Sequence, residues 1–266
     1  MRIATFNVNG IRAAVRRGFG AWLADAQPDI LALQEMRCPA AEVPPVFSGY
    51  HLSYFPGNLP GRNGVALACR ERPAAVREGF GYRDDAEGRY LEADFDGLTV
   101  GCLYLPKGGV LGTGDPAEDR RYHRKQRFMK SFRAYLGRAR RAALGLGREF
   151  TVMGDFNIAH ERLDLKNWRS NQQNDGFLPE EREWFGSILG PRTLVDVVRR
   201  LHPGEAGPYS WWSWRGQAFA NDAGWRIDYQ LATPGLAARA AVAGTHRDPS
   251  YESRISDHAP VVVEYR

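Results

Sequence analysis

The chain has 266 residues, with 36 Lys and Arg against 31 Asp and Glu and with 43% hydrophobic residues, proportions that exclude a disordered chain and supply enough apolar mass for a large core. No apolar run approaches the roughly 18 residues needed to cross a bilayer, and Cys38, Cys69 and Cys102 stand too far apart for a disulfide framework or a metal knuckle. A net charge of +5 permits an anionic partner without requiring one.

The first strand is expected over Arg2 to Val8, so close to the start that no cleavable leader fits; the protein is expected to stay where it is made, in a reducing compartment. Short apolar runs bounded mostly by Gly, Pro, Asn or Asp predict further strands at Asp29 to Gln34, Gly64 to Cys69, Tyr90 to Phe95 and Leu98 to Leu105. Gly108 to Gly114 is glycine-rich but lacks the Gly-Lys-Ser/Thr ending of a phosphate loop and reads as an irregular surface loop. A helix is expected from about Asp119, placing Phe128, Phe132, Tyr135, Leu136 and Ala139 on one face. A strand over Phe150 to Met153 follows. A second helix begins at Pro179, whose ring suits a first turn, and passes Trp184 and Leu189 towards Gly190. Strands at Trp225 to Ala232 and Pro260 to Tyr265 complete the pattern. Strands and helices mingle without a long polar linker, which predicts an α/β sandwich of two packed sheets flanked by helices, in one domain over residues 1–266.

Polar residues sit directly at the ends of these apolar runs. Asn7 and Asn9 follow the first, Glu35 the second, and Asp155 and Asn157 the Phe150 strand; Asp257 and His258 precede the last. A strand-end group is held by the sheet yet reaches solvent, which suits a preorganised site. Each alone also reads as a turn former. Glu35 with an amide such as Asn7 offers the oxygens that Mg²⁺ or Mn²⁺ prefers, and the six histidines show no paired zinc spacing. His258 and Asp228 make an Asp and His pair of the kind that fixes a tautomer. No nucleophile elbow or cysteine signature accompanies them, so water is the expected nucleophile.

In order along the chain, Phe6-Asn7-Val8-Asn9-Gly10-Ile11-Arg12, Leu33-Gln34-Glu35, Tyr104-Leu105-Pro106, Met153-Gly154-Asp155-Phe156-Asn157, Leu178-Pro179-Glu180-Glu181-Arg182, Tyr209-Ser210-Trp211-Trp212, Trp225-Arg226-Ile227-Asp228-Tyr229 and Ser256-Asp257-His258-Ala259-Pro260 resemble the exodeoxyribonuclease III and apurinic/apyrimidinic endonuclease family of the endonuclease/exonuclease/phosphatase superfamily. The resemblance implies a four-layer, DNase I-like α/β sandwich of two mixed sheets flanked by helices. It implies Mg²⁺-dependent hydrolysis of DNA, with Mn²⁺ able to substitute, on duplexes carrying abasic sites or 3′ ends. By it Glu35 is the principal metal ligand, with Asn7 beside it and Asp257 touching the ion directly or through water. Asp155 orients or deprotonates the attacking water, Asn157 helps place it, His258 held by Asp228 contacts the phosphate, and Tyr104 serves a phosphate oxygen or the leaving group. His258 as the base, with Asp155 only orienting, is the alternative.

The same resemblance assigns Arg12, Asn171 and Asn174 to the DNA backbone, and Trp211, Trp225 and Ile227 to the pocket for a flipped-out abasic sugar. Arg215 stands where some relatives carry an apolar wedge and is read as a DNA contact; Lys107 replaces an expected amide beside the site. Plainer readings compete: Tyr104 and the tryptophans as core, Asp228 as a partner of Arg226, Asn157 as a turn cap, the arginines as solvated surface. A monomeric, cytoplasmic enzyme of bacterial type is expected. The competing functions are a phosphoesterase for a phospholipid headgroup or other small phosphate, and a catalytically silent DNA-binding module.

Overall fold

Strand alternation gives each central strand two buried faces, and this is what builds the layers. In the computed structural model, which describes residues 1–58, 61–82 and 85–266, the elements run β1 (Arg2–Asn7), α1 (Ile11–Arg16), α2 (Phe19–Ala26), β2 (Ile30–Gln34), β3 (His51–Phe55), β4 (Val65–Cys69), β5 (Ala75–Glu78), β6 (Tyr90–Phe95), β7 (Leu98–Tyr104), α3 (Pro116–Gly145), β8 (Glu149–Asp155), α4 (Pro179–Ile188), β9 (Val195–Asp196), α5 (Val197–Leu201), β10 (Asp228–Ala232), α6 (Pro234–Arg239), β11 (Ala240–Thr245) and β12 (Val261–Tyr265).

Two six-stranded mixed sheets result, ordered β11-β12-β1-β2-β4-β3 and β5-β6-β7-β8-β10-β9. Each has one parallel pair at its centre, β1 with β2 and β7 with β8, flanked by antiparallel neighbours. Ile3, Ala32, Leu67, Val100, Cys102 and Met153 meet between the sheets. On the outer face of the first sheet, Ala4, Phe6, Leu31 and Leu33 pack on Ile11 and Ala14 of α1 and Phe19 and Leu23 of α2. On the outer face of the second, Phe150, Val152, Tyr229 and Leu231 pack on Phe128, Met129 and Phe132 of α3 and Trp184 and Phe185 of α4. The chain is therefore a four-layer α/β sandwich.

All eight strands expected from the apolar runs are present, and only two ends are shifted by more than one residue. β8 continues to Asp155, and β10 starts at Asp228 because Trp225 leaves the ladder to form an isolated bridge with Trp211. α3 begins earlier than the apolar period indicates, at Pro116, because Asp115 caps it by accepting the Ala117 N–H at 2.8 Å and proline occupies the first turn.

Candidate functional site

The open end of the sandwich receives the C-termini of β1, β2, β7 and β8 and the N-terminus of β10, and there the strand-end polar residues meet. Asn7 and Asp155 continue the inward-facing rows of β1 and β8 and are fully buried. Glu35 follows β2 with φ of +54°, an uncommon conformation for a glutamate; its carbonyl accepts the Gly10 N–H at 2.8 Å, which ties the turn to the loop after β1. Asn7 Nδ2 donates to Glu35 Oε1 and to Asp155 Oδ2, each at 2.9 Å. Its Oδ1 accepts the Asn9 N–H at 3.0 Å, so in this arrangement Asn7 tethers the two carboxylates rather than offering an oxygen beside them.

Asp155 Oδ1 accepts the Asn157 N–H at 2.8 Å, and Asn157 Nδ2 is anchored on the Leu105 carbonyl at 2.9 Å. Across the cleft, His258 Nδ1 bonds Asp228 Oδ2 at 2.8 Å, while Nε2 faces Asp155 Oδ2 at 3.8 Å. Ser210 Oγ donates to the same Asp228 oxygen at 2.6 Å and accepts the N–H groups of Ile227 and Asp228 at 3.1 Å. Arg226 pairs with Asp164 and Asp196, so Asp228 answers to the histidine. Burial opposes a charge on His258, but Asp228 and then Asp155 and Asp257 outweigh it and bring its pKa to about 10. Burial lifts Asp155 to about 7, with Asp228 and Glu35 adding to the rise and His258 opposing it. Burial and the neighbouring Glu35 hold the Tyr104 hydroxyl well above its ordinary range, so it remains a donor; the Arg89 guanidinium lies 4.9 Å from its ring centre.

Glu35, Tyr104, Asp155, Asn157 and His258 line a cleft of about 310 Å³ whose other walls include Trp211, Trp225, Ile227, Asp257, Arg37, Lys107 and Asp175. Trp211 and Trp225 meet edge to face, with centroids 6.3 Å apart and planes at 86°. Trp211 Nε1 donates to Asp257 Oδ2 at 3.1 Å and Asn9 Nδ2 to Asp257 Oδ1 at 2.7 Å, so both oxygens of Asp257 already accept a bond. The residues assigned to the DNA backbone lie outside the cleft lining. Arg12 is exposed on α1 and ion-paired with Glu42. Asn174 is exposed and Asn171 half-buried, and they bond each other, Nδ2 of Asn174 donating to Oδ1 of Asn171 at 2.7 Å. Arg215 is exposed in the loop after Trp214.

Asn9, singled out at its strand end, also shapes the site, as do Ser210, Arg37, Asp175 and Lys125, to which sequence reasoning gave no role. Ser210 and Asn9 lie inside motifs already singled out, and Arg37 follows Glu35 by two positions, but their contacts depend on distant elements. Lys125, buried in α3, donates to the Asn157 carbonyl and to Asp175, each at 2.9 Å, and pairs with Glu181 at 2.6 Å.

Glu35, Asp155 and His258 present ligand atoms within 4.8 Å of one another, the one such group of three among the described residues. Glu35 Oε2 is buried, makes no hydrogen bond and is offset by the charge of the neighbouring Arg37 guanidinium. An imidazole that keeps both protons has no lone pair for a metal, which leaves two carboxylates, the donor set of a hard divalent cation that shares its remaining positions with water and substrate phosphate. The residues fit such an ion.

A family model described as the Endonuclease/Exonuclease/phosphatase family matches residues 4–258. The DNA repair nuclease APEX1 of Danio rerio is 33% identical over 244 residues, covering 89% of this chain and 74% of that protein. Exodeoxyribonuclease III of Haemophilus influenzae is 31% identical over 281 residues, covering 100% of both. Among solved structures, an AP endonuclease from Archaeoglobus fulgidus is similar with a TM-score of 0.86 at 31% identity, over 100% of this chain and 99% of that one. A 3′-5′ exonuclease from Neisseria meningitidis follows, with a TM-score of 0.84 at 28% identity over 100% and 99%.

Proposed function

The chain belongs to the endonuclease/exonuclease/phosphatase family, and from that premise we propose that it is a DNA repair nuclease that uses Mg²⁺, or Mn²⁺ in its place, to cut duplex DNA 5′ to abasic sites and to trim 3′ ends. One observation carries the reading: a cleft that unites a paired imidazolium, two metal-ready carboxylates and an aromatic wall. Hydroxide and a phosphodiester are both anionic, so the site must neutralise the phosphate while keeping one base near water.

Glu35, with Asp155 beside it, would hold the ion, which would supply charge neutralisation for the phosphate and the departing oxygen. His258, oriented through Nδ1 by Asp228 and Ser210, directs Nε2–H at a phosphate oxygen. Its proton is held by the surrounding carboxylates, so the base is Asp155, which Asn157 and Asn7 fix in place. Asp155 takes a proton from water, the water oxygen joins phosphorus and the bond to the 3′ oxygen breaks. Tyr104, protonated at the start, hydrogen-bonds the departing 3′ oxygen and passes it the proton that makes the 3′ hydroxyl, recovering one from solvent water. Trp211, Trp225 and Ile227 wall the space for a base-less sugar and exclude an intact nucleotide by size. Arg12, Asn171, Asn174 and Arg215 would bind flanking phosphates, the first three by giving up their present partners, and Asp257 would support the ion through water.

A labelled duplex with one abasic site, assayed with and without Mg²⁺ beside an undamaged duplex and a phospholipid headgroup phosphate, tests the reading. Metal-dependent incision 5′ to the lesion is expected. Binding without cleavage, or faster release of the headgroup phosphate, would overturn it.

A further inference from the structure

The charge of this chain is concentrated in one helix. α3 carries ten Lys and Arg against Glu118 and Asp119, an excess of eight, whereas the whole chain carries +5, so everything outside α3 nets −3. The helix is one-sided: Lys125, Phe128, Met129, Phe132, Leu136 and Ala143 are buried against the second sheet. At 3.6 residues per turn, Arg120, Arg127, Lys130, Arg138 and Arg141 fall within a sector roughly 80° wide, on the face opposite the buried row. All five are exposed, and Arg138 and Arg141 lie in the last two turns. None of the five makes an ion pair among the described residues; of the two acids in the helix Glu118 pairs with Arg121, and Arg124 pairs with Glu87.

A solvated helix face normally interleaves charges of both signs, because like charges three or four positions apart repel. Arg127 with Lys130 and Arg138 with Arg141 stand at that spacing without an acid between them. The stripe spans about 32 Å at 1.5 Å per residue, close to the roughly 34 Å of one duplex turn. It starts beside the cleft, where Lys125 of the same helix bonds the Asn157 carbonyl, and runs to the far end of the sandwich, where the chain enters β8.

We infer that this outer face of α3 is a second, sequence-independent contact for the DNA backbone, separate from the cleft, which holds the protein on undamaged duplex. The inference rests on the nuclease reading for the identity of the polyanion. Each cation that meets a phosphate releases counterions, so the contact is legible in the salt dependence of affinity.

The test compares the full-length protein with the variant R127Q/K130Q/R138Q/R141Q and with a control that loses the same charge elsewhere, R72Q/R192Q/R239Q/R266Q. Affinity for an undamaged 30-base-pair duplex is measured by fluorescence anisotropy in a chelator across a salt series, and turnover is measured on a short abasic duplex at saturation. The α3 variant is expected to show a log affinity against log salt slope shallower by about three to four, with wild-type turnover and melting temperature, and the control is expected to keep the wild-type slope. An unchanged slope in the α3 variant, or an equal loss in the control, overturns the inference. Failure of the wild-type protein to incise the abasic duplex would instead overturn the nuclease reading, so the two failures are distinguishable.

Discussion

Replacing Asp228 with asparagine keeps the shape of the group against His258 and removes its charge. In the metal-free protein, burial alone disfavours the imidazolium, and Asp228 on Nδ1 at 2.8 Å is the main reason its pKa rises from 6.5 to about 10. At about 1.4 kcal/mol per unit, that rise corresponds to roughly 5 kcal/mol of preference for the charged form in the folded state. A histidine raised above its unfolded value stabilises the fold fully below pH 6.5, and that contribution is lost as the pH climbs through about 10. In Asp228→Asn burial dominates and the pKa should drop below roughly 7, leaving a mostly neutral imidazole at pH 8. Imidazole ring NMR across a pH series on the metal-free protein reads the shift directly. Thermal unfolding should show the wild type more stable than the variant at pH 6, with the gap closing as pH approaches 10. Cleavage at pH 8 should fall by about 10² to 10⁴. A variant imidazole still protonated at pH 8, or a stability gap that does not change with pH, would refute the assignment of Asp228 as the source of the charge.

Glu35→Gln should weaken Mn²⁺ binding by more than the about 10- to 100-fold typical of losing a ligand's supporting hydrogen bond; calorimetry showing wild-type affinity would remove Glu35 from the metal site. Asp155→Asn should slow cleavage by about 10² to 10⁴ while leaving affinity for uncut duplex intact, and near-wild-type turnover would return the base role to His258. Trp211→Ala opens the cleft wall and frees Asp257, so the ratio of incision at an abasic site to incision opposite an intact nucleotide should fall; an unchanged ratio would mean that Trp211 does not sort substrates. Lys125→Met strands Asp175 and Glu181 beside a buried apolar side chain, and urea unfolding should register a loss of about 3 to 5 kcal/mol. A midpoint equal to wild type would show that the buried lysine does not hold these loops.

What the sequence revealed of the fold depended on position within each sheet. β1, β2, β4, β6, β7, β8, β10 and β12 are interior, buried on both faces, and so appear as apolar runs. The four strands without such a run, β3, β5, β9 and β11, are the sheet edges. All four residues of β5 are exposed, β9 has only two residues, and an edge strand has less apolar surface to bury. The short helices α1, α2, α5 and α6 span one or two turns, too few for a helical period to register. In the site, strand-end position revealed Asn7, Glu35, Asp155, Asn157 and His258. Ser210 and Lys125 stayed hidden because their side-chain contacts lie 17 and 32 residues or more away in sequence. The same holds at the periphery: nothing local to Arg12 indicates that it is spent on Glu42, 30 residues on.

The convergence of the site follows from the one parallel pair in each sheet. Two parallel strands finish at the same edge, whereas two antiparallel neighbours finish at opposite ones. β1 and β2 therefore deliver Asn7 and Glu35 together, and β7 and β8 deliver Tyr104 and Asp155 together. The antiparallel partners add their starting ends at the same place: β10 opposes Asp228 to Asp155, and the segment leading into β12 brings His258 back beside them. Packing the sheets face to face then sets Asn7 of one against Asp155 of the other at 2.9 Å. Carboxylates brought this close in a buried space raise one another's pKa unless a cation intervenes. A cation at Glu35 should accordingly pull Asp155 below its metal-free value of about 7. Carbon-13 NMR of the Asp155 carboxyl across a pH series, with and without Mg²⁺, should show that downward shift, and a titration unmoved by saturating Mg²⁺ would separate Asp155 from the ion and undo the shared-site geometry.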